Sequence, residues 1–210
     1  MVVMDLFTRL TSVKPQWGVF RAQGDQSMNV LIAFGTTEGQ TRKIARSMAQ
    51  SIRENGHVVS IYDCSERNEA PDVNDFDTVI LAASVHHRRF QTDFYSFVEA
   101  NLDALKTKPV AFVSVSLSVT LASGEAEARE YVEDFTKETG LHLDAVHLAE
   151  GAVRYFEYGP SDELTIDLIV FKGQKKMPKR DGNPEYTDWQ ALDAFANAFI
   201  ADAAKVPTAN

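Results

Sequence analysis

The chain has 210 residues, with 21 basic and 30 acidic side chains and a formal net charge of −9. Its hydrophobic fraction of 44% and aromatic fraction of 10% are enough for the core of one globular domain. The acidic balance argues against a nucleic-acid-binding surface, because phosphates are bound by clustered Lys and Arg. A single cysteine, Cys64, excludes an intramolecular disulfide, a CxxC pair and a thiolate metal cage. Any redox chemistry therefore needs a bound organic cofactor.

The domain boundaries follow from where the apolar patterns begin and end. Residues 1–28 lack the apolar stretch of a secretory signal, and we expect a poorly ordered N-terminal arm. Residues 29–204 are predicted to form the domain, and 205–210 a C-terminal tail. No run approaches the roughly 18 apolar residues that span a bilayer. We expect a cytoplasmic protein and leave open a peripheral contact with the inner face of the cell membrane.

Strand and helix patterns alternate along the chain. Residues 29–34 form an apolar run without polar alternation, which is typical of a strand buried on both faces. An amphipathic helix is predicted over residues 40–54, and later helices are predicted around Phe94 to Leu105, over 124–138 and, with Asp188 as N-cap, over 188–204. Further strands are predicted at 57–62, 78–84, 109–115 and 143–149. The pattern predicts a flavodoxin-like doubly wound α/β fold, in which helices cover both faces of five parallel strands.

A long connection separates the fifth strand from the last helix. Residues 150–187 far exceed the usual link of about two to six residues, and we expect this insertion to carry structure or function of its own.

The loop Thr36-Thr37-Glu38-Gly39-Gln40-Thr41 lies between a buried strand and a helix N-terminus. Free backbone N–H groups and the positive end of the helix dipole attract an anion there, and the threonine hydroxyls add donors. The loop lacks the lysine of a Walker loop and the GxGxxG spacing of a pyrophosphate site. A single phosphomonoester is the predicted ligand. The alternative is an ordinary turn with threonine caps.

The motif T-x-E-G-Q-T after an apolar strand resembles the FMN-phosphate loop of flavodoxins. The segments AASVHHRRFQTDFYSFV, SVSLSV, GAVRYFEY and EYTDWQALDAFA resemble the menaquinone-dependent protoporphyrinogen IX dehydrogenase family, a flavodoxin-fold group that oxidises a haem precursor. The long insertion and Tyr186-Thr187-Asp188-Trp189 point to this subgroup. The resemblance implies FMN as cofactor, a reduced tetrapyrrole as substrate and a quinone as electron acceptor.

By that resemblance, the loops after the third and fourth strands flank the isoalloxazine ring of FMN. The implied cofactor contacts are Thr36, Thr37, Glu38, Gly39, Gln40, Thr41, Ser84, Val85, His86, His87, Arg88, Phe90, Ser114, Val115, Ser116, Leu117 and Ser118. The glycine and tyrosine expected after the serine in relatives are replaced by His86-His87-Arg88-Arg89-Phe90. Phe90 or His87 is then the candidate to cover the ring, and Arg88 or Arg89 the candidate to face flavin or a substrate carboxylate. The alternative is a solvated loop.

The insertion places an apolar run before a basic one. The resemblance implies that this region contributes to substrate access and membrane proximity, through porphyrin propionates or anionic lipid headgroups. The candidate substrate residues are Arg154, Tyr155, Lys172, Lys175 and Lys176. Sheet extension followed by a solvated loop is the alternative.

No metal site and no acid–base dyad are predicted. The histidines His57, His142 and His147 are isolated, and Cys64 is interpreted as a small core filler. The catalytic residues and the oligomeric state stay unassigned. The predicted function is an FMN-dependent oxidoreductase of the protoporphyrinogen dehydrogenase type. The alternatives are an electron-transfer flavodoxin that docks basic redox protein partners and an FMN-binding regulatory module.

Overall fold

The computed structural model describes residues 27–66, 69–120, 124–152 and 185–205. Its strands are β1 (Asn29–Gly35), β2 (Val58–Asp63), β3 (Thr78–Ser84), β4 (Val110–Ser116) and β5 (Ala145–Glu150). Its α-helices are α1 (Gln40–Glu54), α2 (Thr92–Ala100), α3 (Leu102–Leu105), α4 (Gly124–Thr139) and α5 (Trp189–Ala203). Short 3-10 helices occupy Val73–Asp75 and Leu117–Thr120. None of the helices in the described ranges is long and apolar enough to cross a membrane.

The five strands pair in parallel in the order β2-β1-β3-β4-β5. This order confirms the predicted flavodoxin-like doubly wound sheet. The chain starts at β1, moves outward to β2, and then returns to the other side of β1 to form β3. Ligands of such sheets bind outside the carboxyl ends of the strands at this reversal, so the topology directs attention to the loops after β1 and β3.

Each face of the sheet carries its own core because alternate side chains of a strand point to opposite faces. Val30, Ile32 and Phe34 of β1 pack with residues of α1 and α5. Leu31 and Ala33 pack with residues of α2 and α4 on the other face. Both faces of β1 are therefore buried, which explains its continuous apolar run.

A cluster of phenylalanines fixes α2 and α4 against the second face. The ring centroids of Phe112 and Phe135 lie 5.0 Å apart, and those of Phe94 and Phe112 lie 5.8 Å apart. Phe90 joins them, with its centroid 5.1 Å from Phe112. The loop that follows β3 is thereby anchored to the core from beneath.

Several predicted strands and helices are shifted by one or two residues at their ends, and two further differences concern the second helix and the N-terminal arm. The pattern around Phe94 to Leu105 predicts one helix, but the structure breaks it at Asn101, whose side-chain amide donates to the Phe97 carbonyl at 2.8 Å. Such side-chain bonds compete with the regular helical pattern. Met28, which the sequence placed in the arm, is 7% exposed and packs in the first core. Its carbonyl accepts from Val58 N–H at 2.9 Å. Residues 1–26 lie outside the described residues.

Candidate functional site

Three loops begin side by side at the carboxyl edge of the sheet. Gly35 at the end of β1 pairs with Ala83, and Ser84 at the end of β3 pairs with Val115. The loops after β1, β3 and β4 therefore start at the same edge, as predicted. The hydrogen bond from Val85 N–H to the Val115 carbonyl, at 2.9 Å, continues this pairing into the loops.

The loop after β1 presents the start of α1 towards this edge. Gly39 is the N-cap residue with φ of 81°, a left-handed conformation that favours glycine. Its N–H donates to Thr36 Oγ1 at 2.9 Å, and no side chain caps the helix. The first backbone N–H groups of an α-helix lack intrahelical acceptors and carry partial positive charge. The loop can therefore bind an anion.

Thr41 supplies the observation that tests a phosphate ligand. The residue is 0% exposed, and its Oγ1 has no hydrogen-bond partner among the described residues. A buried hydroxyl without a partner is unfavourable by about 1 to 3 kcal/mol, and such groups need an explanation. A phosphate oxygen at the start of α1 would accept this hydrogen bond. The residues present thus fit the phosphate of FMN.

Three side chains that the sequence did not single out hold this loop and the first turn of α1 in place. Gln91 Nε2 donates to Thr37 Oγ1 at 3.0 Å and to Ser84 Oγ at 2.7 Å, which links the loop to the end of β3. Gly35 leaves room for this bridge, since a Cβ there would lie 2.8 Å from Gln91 Oε1. Asp63, at the end of β2, pairs with Arg42 in the first turn of α1 at 2.5 Å.

Asp63 is held ionised by these partners. Its residue exposure is 5%. Burial acts to raise the pKa of this carboxyl, but hydrogen bonds from Arg42 and Ser65 outweigh it and lower the pKa. Asp63 therefore stays negatively charged at neutral pH. It holds Arg42 in place and does not act as a proton donor.

The resemblance implies that Gln40 contacts the cofactor, but its side chain binds Thr187 in this structure. Its Nε2 donates to Thr187 Oγ1 at 3.0 Å, and Thr187 Oγ1 donates to the Glu150 carbonyl at 2.8 Å. Its Oε1 is buried with no partner among the described residues. Gln40 thus joins the loop to the residues just before α5, and sequence reasoning missed Thr187 as its partner.

The loop after β3 forms a tight hairpin. His86 and Arg89 exchange two backbone hydrogen bonds of 2.8 and 3.1 Å, and His87 and Arg88 have φ of 49° and 63°. Positive φ at both central positions is the type I′ turn, which normally takes Asn and Gly. Non-glycine residues in this conformation carry about 1 to 2 kcal/mol of strain each, and such strain clusters at ligand sites.

Both arginines of the hairpin contact carboxylates of α4. Arg88 lies 3.4 Å from Glu127, and Arg89 lies 3.0 Å from Glu138. A flavin or substrate that binds these arginines, as the resemblance implies, must therefore compete with Glu127 and Glu138 for them. His87 stays exposed at the turn.

Phe90 is one of the two candidates to cover the flavin ring, and its own ring is largely buried. Phe90 is 5% exposed and packs against Phe112 and Phe135, so it belongs to the core beneath the hairpin. His87, the other candidate, is exposed, and the assignment of the ring contact stays a prediction.

The loop after β4 is tied to the same helix. Ser118 N–H donates to Ser116 Oγ at 3.0 Å, and Ser118 Oγ donates to Glu127 at 3.0 Å. Tyr131 OH also donates to Glu127, at 2.5 Å. The Tyr131 hydrogen bond, together with Ser118 and the charge of Arg88, lowers the pKa of Glu127 against the effect of burial. Burial and Glu127 raise the pKa of Tyr131 to about 12.

Other predicted residues have plainer surroundings. Ser114 lies within β4, 0% exposed, and its Oγ has no hydrogen-bond partner in the described ranges. Burial raises the pKa of the Cys64 thiol to about 12, so this thiol stays protonated at neutral pH. The substrate candidates Arg154, Tyr155, Lys172, Lys175 and Lys176 lie outside the described residues.

A cleft of about 510 Å³ opens between the phosphate loop, the hairpin and α2. Thr37, His86, His87 and Tyr95 are among the residues that line it. Its volume is within the range of small-molecule sites, about 300 to 1,000 Å³. The cleft adjoins two of the three loops to which the sequence resemblance assigns cofactor contacts.

Residues 31–181 match the family model described as "Flavodoxin domain". The protoporphyrinogen IX dehydrogenase (quinone) of Escherichia coli (strain K12) is 30% identical over 182 residues, which cover 86% of this chain and 99% of that protein. The protein of the same name from Leishmania major is 28% identical over 186 residues, covering 87% of this chain and 79% of the relative. Oxidised flavodoxin 1 from Bacillus cereus superposes with a TM-score of 0.51 at 17% identity, covering 82% of this chain and 97% of the flavodoxin.

The flavodoxin domain indicates FMN as the cofactor, in agreement with the anion-binding loop and the unpartnered Thr41 hydroxyl. The relatives are oxidoreductases, and the one from Escherichia coli aligns over nearly its full length. The chain is thus an FMN-dependent oxidoreductase of flavodoxin fold and belongs to the protoporphyrinogen IX dehydrogenase (quinone) family.

Proposed function

We propose that this protein oxidises protoporphyrinogen IX to protoporphyrin IX and passes the electrons to a quinone. The observation that carries the proposal is the 30% identity to the Escherichia coli enzyme over 99% of that protein. Each pair of hydrogens that leaves the porphyrinogen reduces one quinone to its quinol, so atoms and electrons balance without another oxidant. FMN, when bound, supplies the centre that accepts electrons from one substrate and donates them to the other.

The residues of the chain then bind and orient the cofactor. The first turn of α1 with the hydroxyls of Thr36 and Thr41 would hold the phosphate. The hairpin of residues 86–89 and the loop after β4 would lie beside the flavin ring. Glu127 supports this arrangement, because it contacts Ser118 of one loop and Arg88 of the other.

Substrate binding is the finer part of the proposal. The basic residues of the insertion, Lys172, Lys175 and Lys176, together with Arg154 and Tyr155, would meet the propionates of the tetrapyrrole. Their cationic side chains are the chemical complement of carboxylates. The quinone is a lipid-soluble acceptor, and we include peripheral contact with the inner face of the cell membrane in the proposal.

Anaerobic spectroscopy tests the proposed reaction. The FMN-loaded protein is mixed with protoporphyrinogen IX without oxygen, and we expect the flavin absorbance to bleach as porphyrin fluorescence rises. Addition of a menaquinone analogue is expected to restore the oxidised flavin spectrum. Free FMN at the same concentration is the control for reaction in solution.

The same experiment separates the main alternative. The net charge of −9 is also suited to an electron carrier that docks on a basic reductase. A flavin that stays oxidised with protoporphyrinogen IX, yet is reduced rapidly by a flavodoxin reductase, would contradict the proposed reaction and favour the carrier.

A further inference from the structure

The motif Tyr186-Thr187-Asp188-Trp189 lies at the start of α5. Asp188 has an evident structural role, because its side chain accepts from Ala191 N–H at 3.0 Å and so caps the helix. Thr187 makes no such contact with α5. Its 8% exposure and its hydrogen bonds instead direct it towards the phosphate loop.

The Thr187 hydroxyl uses both its donor and its acceptor capacity. It donates to the Glu150 carbonyl at 2.8 Å and accepts from Gln40 Nε2 at 3.0 Å. Glu150 ends β5, and Gln40 is the first residue of α1. One hydroxyl therefore joins the last strand of the sheet to the helix start that presents the anion-binding N–H groups.

The segment that carries Thr187 is itself fixed to the end of β5. Glu185 forms an antiparallel bridge with Ala152, and Tyr186 N–H donates to the Gly151 carbonyl at 3.3 Å. A second link to α1 lies one turn beyond Gln40, where Lys43 Nζ is 2.8 Å from Glu185 Oε2. The first turn of α1 is thus attached, through residues 185–187, to the end of β5.

The position of Gln40 directly affects the anion-binding end of α1. It is 5% exposed and follows directly after Gly39, the left-handed N-cap. Its backbone N–H is among those that face an anion at a helix N-terminus. A change in the position of Gln40 therefore moves an anion donor, whereas the flavin ring is assigned to other loops.

We propose that Thr187 is a positioning residue for the FMN phosphate, holding Gln40 and the first turn of α1 in the conformation that binds it. The inference rests on the FMN binding that underlies the proposed function. Preorganised donors lose less entropy when the ligand binds, so loss of the brace weakens phosphate binding in particular. Removal of the hydroxyl leaves Gln40 Nε2 and the Glu150 carbonyl without this partner.

Comparison of FMN with riboflavin tests this inference, because riboflavin lacks the phosphate. In titrations of the flavin-free protein, Thr187→Val is expected to raise the Kd for FMN about fivefold, the effect of one net hydrogen bond. The Kd for riboflavin is expected to stay within about twofold, since its binding does not use the phosphate loop. Thr187→Ser keeps the hydroxyl and is expected to restore FMN affinity.

Thr139→Val is the matched control. Thr139 is also 8% exposed, and its hydroxyl donates to a carbonyl, that of Phe135 in its own helix, at 2.8 Å. It lies on α4, far from the phosphate loop in the sequence. We expect the control to alter the thermal midpoint without changing the ratio of the two flavin affinities.

Equal weakening of both flavins in Thr187→Val would show a general structural role and overturn the inference, as would unchanged affinity for both. If Thr187→Val fails to fold, Gln40→Met removes the same hydrogen bond from the other side, and the same selective loss of FMN is expected. A wild-type protein that binds no FMN would instead contradict the cofactor assignment, so the two failures are distinguishable.

Discussion

The two halves of the flavin site are held in different ways. The phosphate half, formed by the loop after β1, the first turn of α1 and residues 185–188, is fixed by the buried Gln40–Thr187 hydrogen bond. The ring half, formed by the hairpin of residues 86–89 and the loop after β4, lies above the buried Phe90, and exposed ion pairs hold the hairpin against α4. The side chains of Arg88 and Arg89 are 72% and 67% exposed. Exposed ion pairs contribute at most about 1 kcal/mol, whereas removal of one partner of a buried hydrogen bond leaves the other unsatisfied, at a cost of about 1 to 3 kcal/mol.

The halves also differ in the form of strain that they carry without ligand. The phosphate half contains unpartnered buried atoms, Thr41 Oγ1 and Gln40 Oε1. The ring half contains backbone strain at His87 and Arg88. A ligand hydrogen bond relieves the first form, whereas only a change of residue relieves the second. Substitutions can therefore separate the two halves.

The largest expected effect is that of Thr41→Val in the phosphate half. Loss of a hydrogen bond to a charged phosphate is expected to weaken FMN by about 1.5 to 3 kcal/mol, about ten- to a hundredfold in Kd. The flavin-free protein should be as stable as wild type or more stable, because the substitution removes an unpartnered buried hydroxyl. Flavin titration and urea unfolding measure the two quantities.

Thr139→Val provides the opposite signature. Its hydroxyl already has a carbonyl partner, so the substitution should lower stability and leave FMN affinity unchanged. A Thr41→Val protein that is less stable but binds FMN normally would show that Thr41 serves the fold and not the phosphate.

The ring half is tested next by two substitutions of His87. Valine is β-branched and rarely adopts positive φ, so His87→Val is expected to lower the free energy of unfolding by about 1 to 2 kcal/mol. His87→Gly relieves the strain but adds freedom to the unfolded chain, and the expected change is below about 1 kcal/mol. His142→Val, at a histidine whose side chain is 87% exposed and whose φ is not positive, is the control. Equal effects of valine at both positions would contradict the strained turn.

Local chemistry explains what the sequence predicted well. Residues 29–34 and 40–54 are regular because buried strands and amphipathic helices have periodic side chains. The threonines and glycine of the phosphate loop are contiguous, so their chemistry is visible before the fold is known. The predicted helix over 40–54 agrees with α1 as observed.

The braces of the site were beyond the reach of sequence patterns. Gln91 contacts Thr37 across 54 positions, and Gln40 contacts Thr187 across 147. Single hydrogen bonds between distant loops leave no periodic signal. The I′ hairpin was also hidden, because His87 and Arg88 stand where Asn and Gly would mark the turn. For Phe90 a signal existed, since its spacing of four from Phe94 is typical of a buried contact.

A smaller effect is expected from Glu127→Gln. Glu127 links Ser118 to Arg88 in the ring half, so its loss should weaken FMN and riboflavin alike, by about two- to fivefold. This equal loss contrasts with the phosphate-selective loss of Thr187→Val. Glu125→Gln on the same helix, which breaks an exposed pair with Arg129, is the control. A loss confined to FMN would contradict the division into halves.

The pH dependence follows from the same carboxylate. The pKa of Glu127 is lowered in the folded protein. Its contribution to the free energy of unfolding is therefore fully present above the pKa of an unfolded glutamate and is lost as pH falls through the lower folded value. The folded protein keeps Glu127 ionised below the ordinary glutamate pKa of 4.5, so the riboflavin affinity of the wild type should fall only at a still lower pH, and the Glu127→Gln variant should lack this component. Identical acid profiles would exclude Glu127 as the titrating group.

The smallest effect is expected from Glu185→Gln, which breaks the exposed ion pair of Glu185 with Lys43 in the phosphate half. The side chains of Lys43 and Glu185 are 55% and 28% exposed, and exposed pairs contribute about 0 to 1 kcal/mol. FMN affinity should change by less than about threefold at low salt, and the difference should vanish near 1 M salt, where screening acts within about 3 Å. The Thr187→Val effect comes from an uncharged hydrogen bond, so the ratio of its FMN Kd to that of wild type should be the same at both salt concentrations. The opposite result is that Glu185→Gln raises the FMN Kd more than Thr187→Val does, with no dependence on salt. That result would make the contact of Glu185 with Lys43 the principal support of α1, and would contradict the role given to the buried Gln40–Thr187 hydrogen bond.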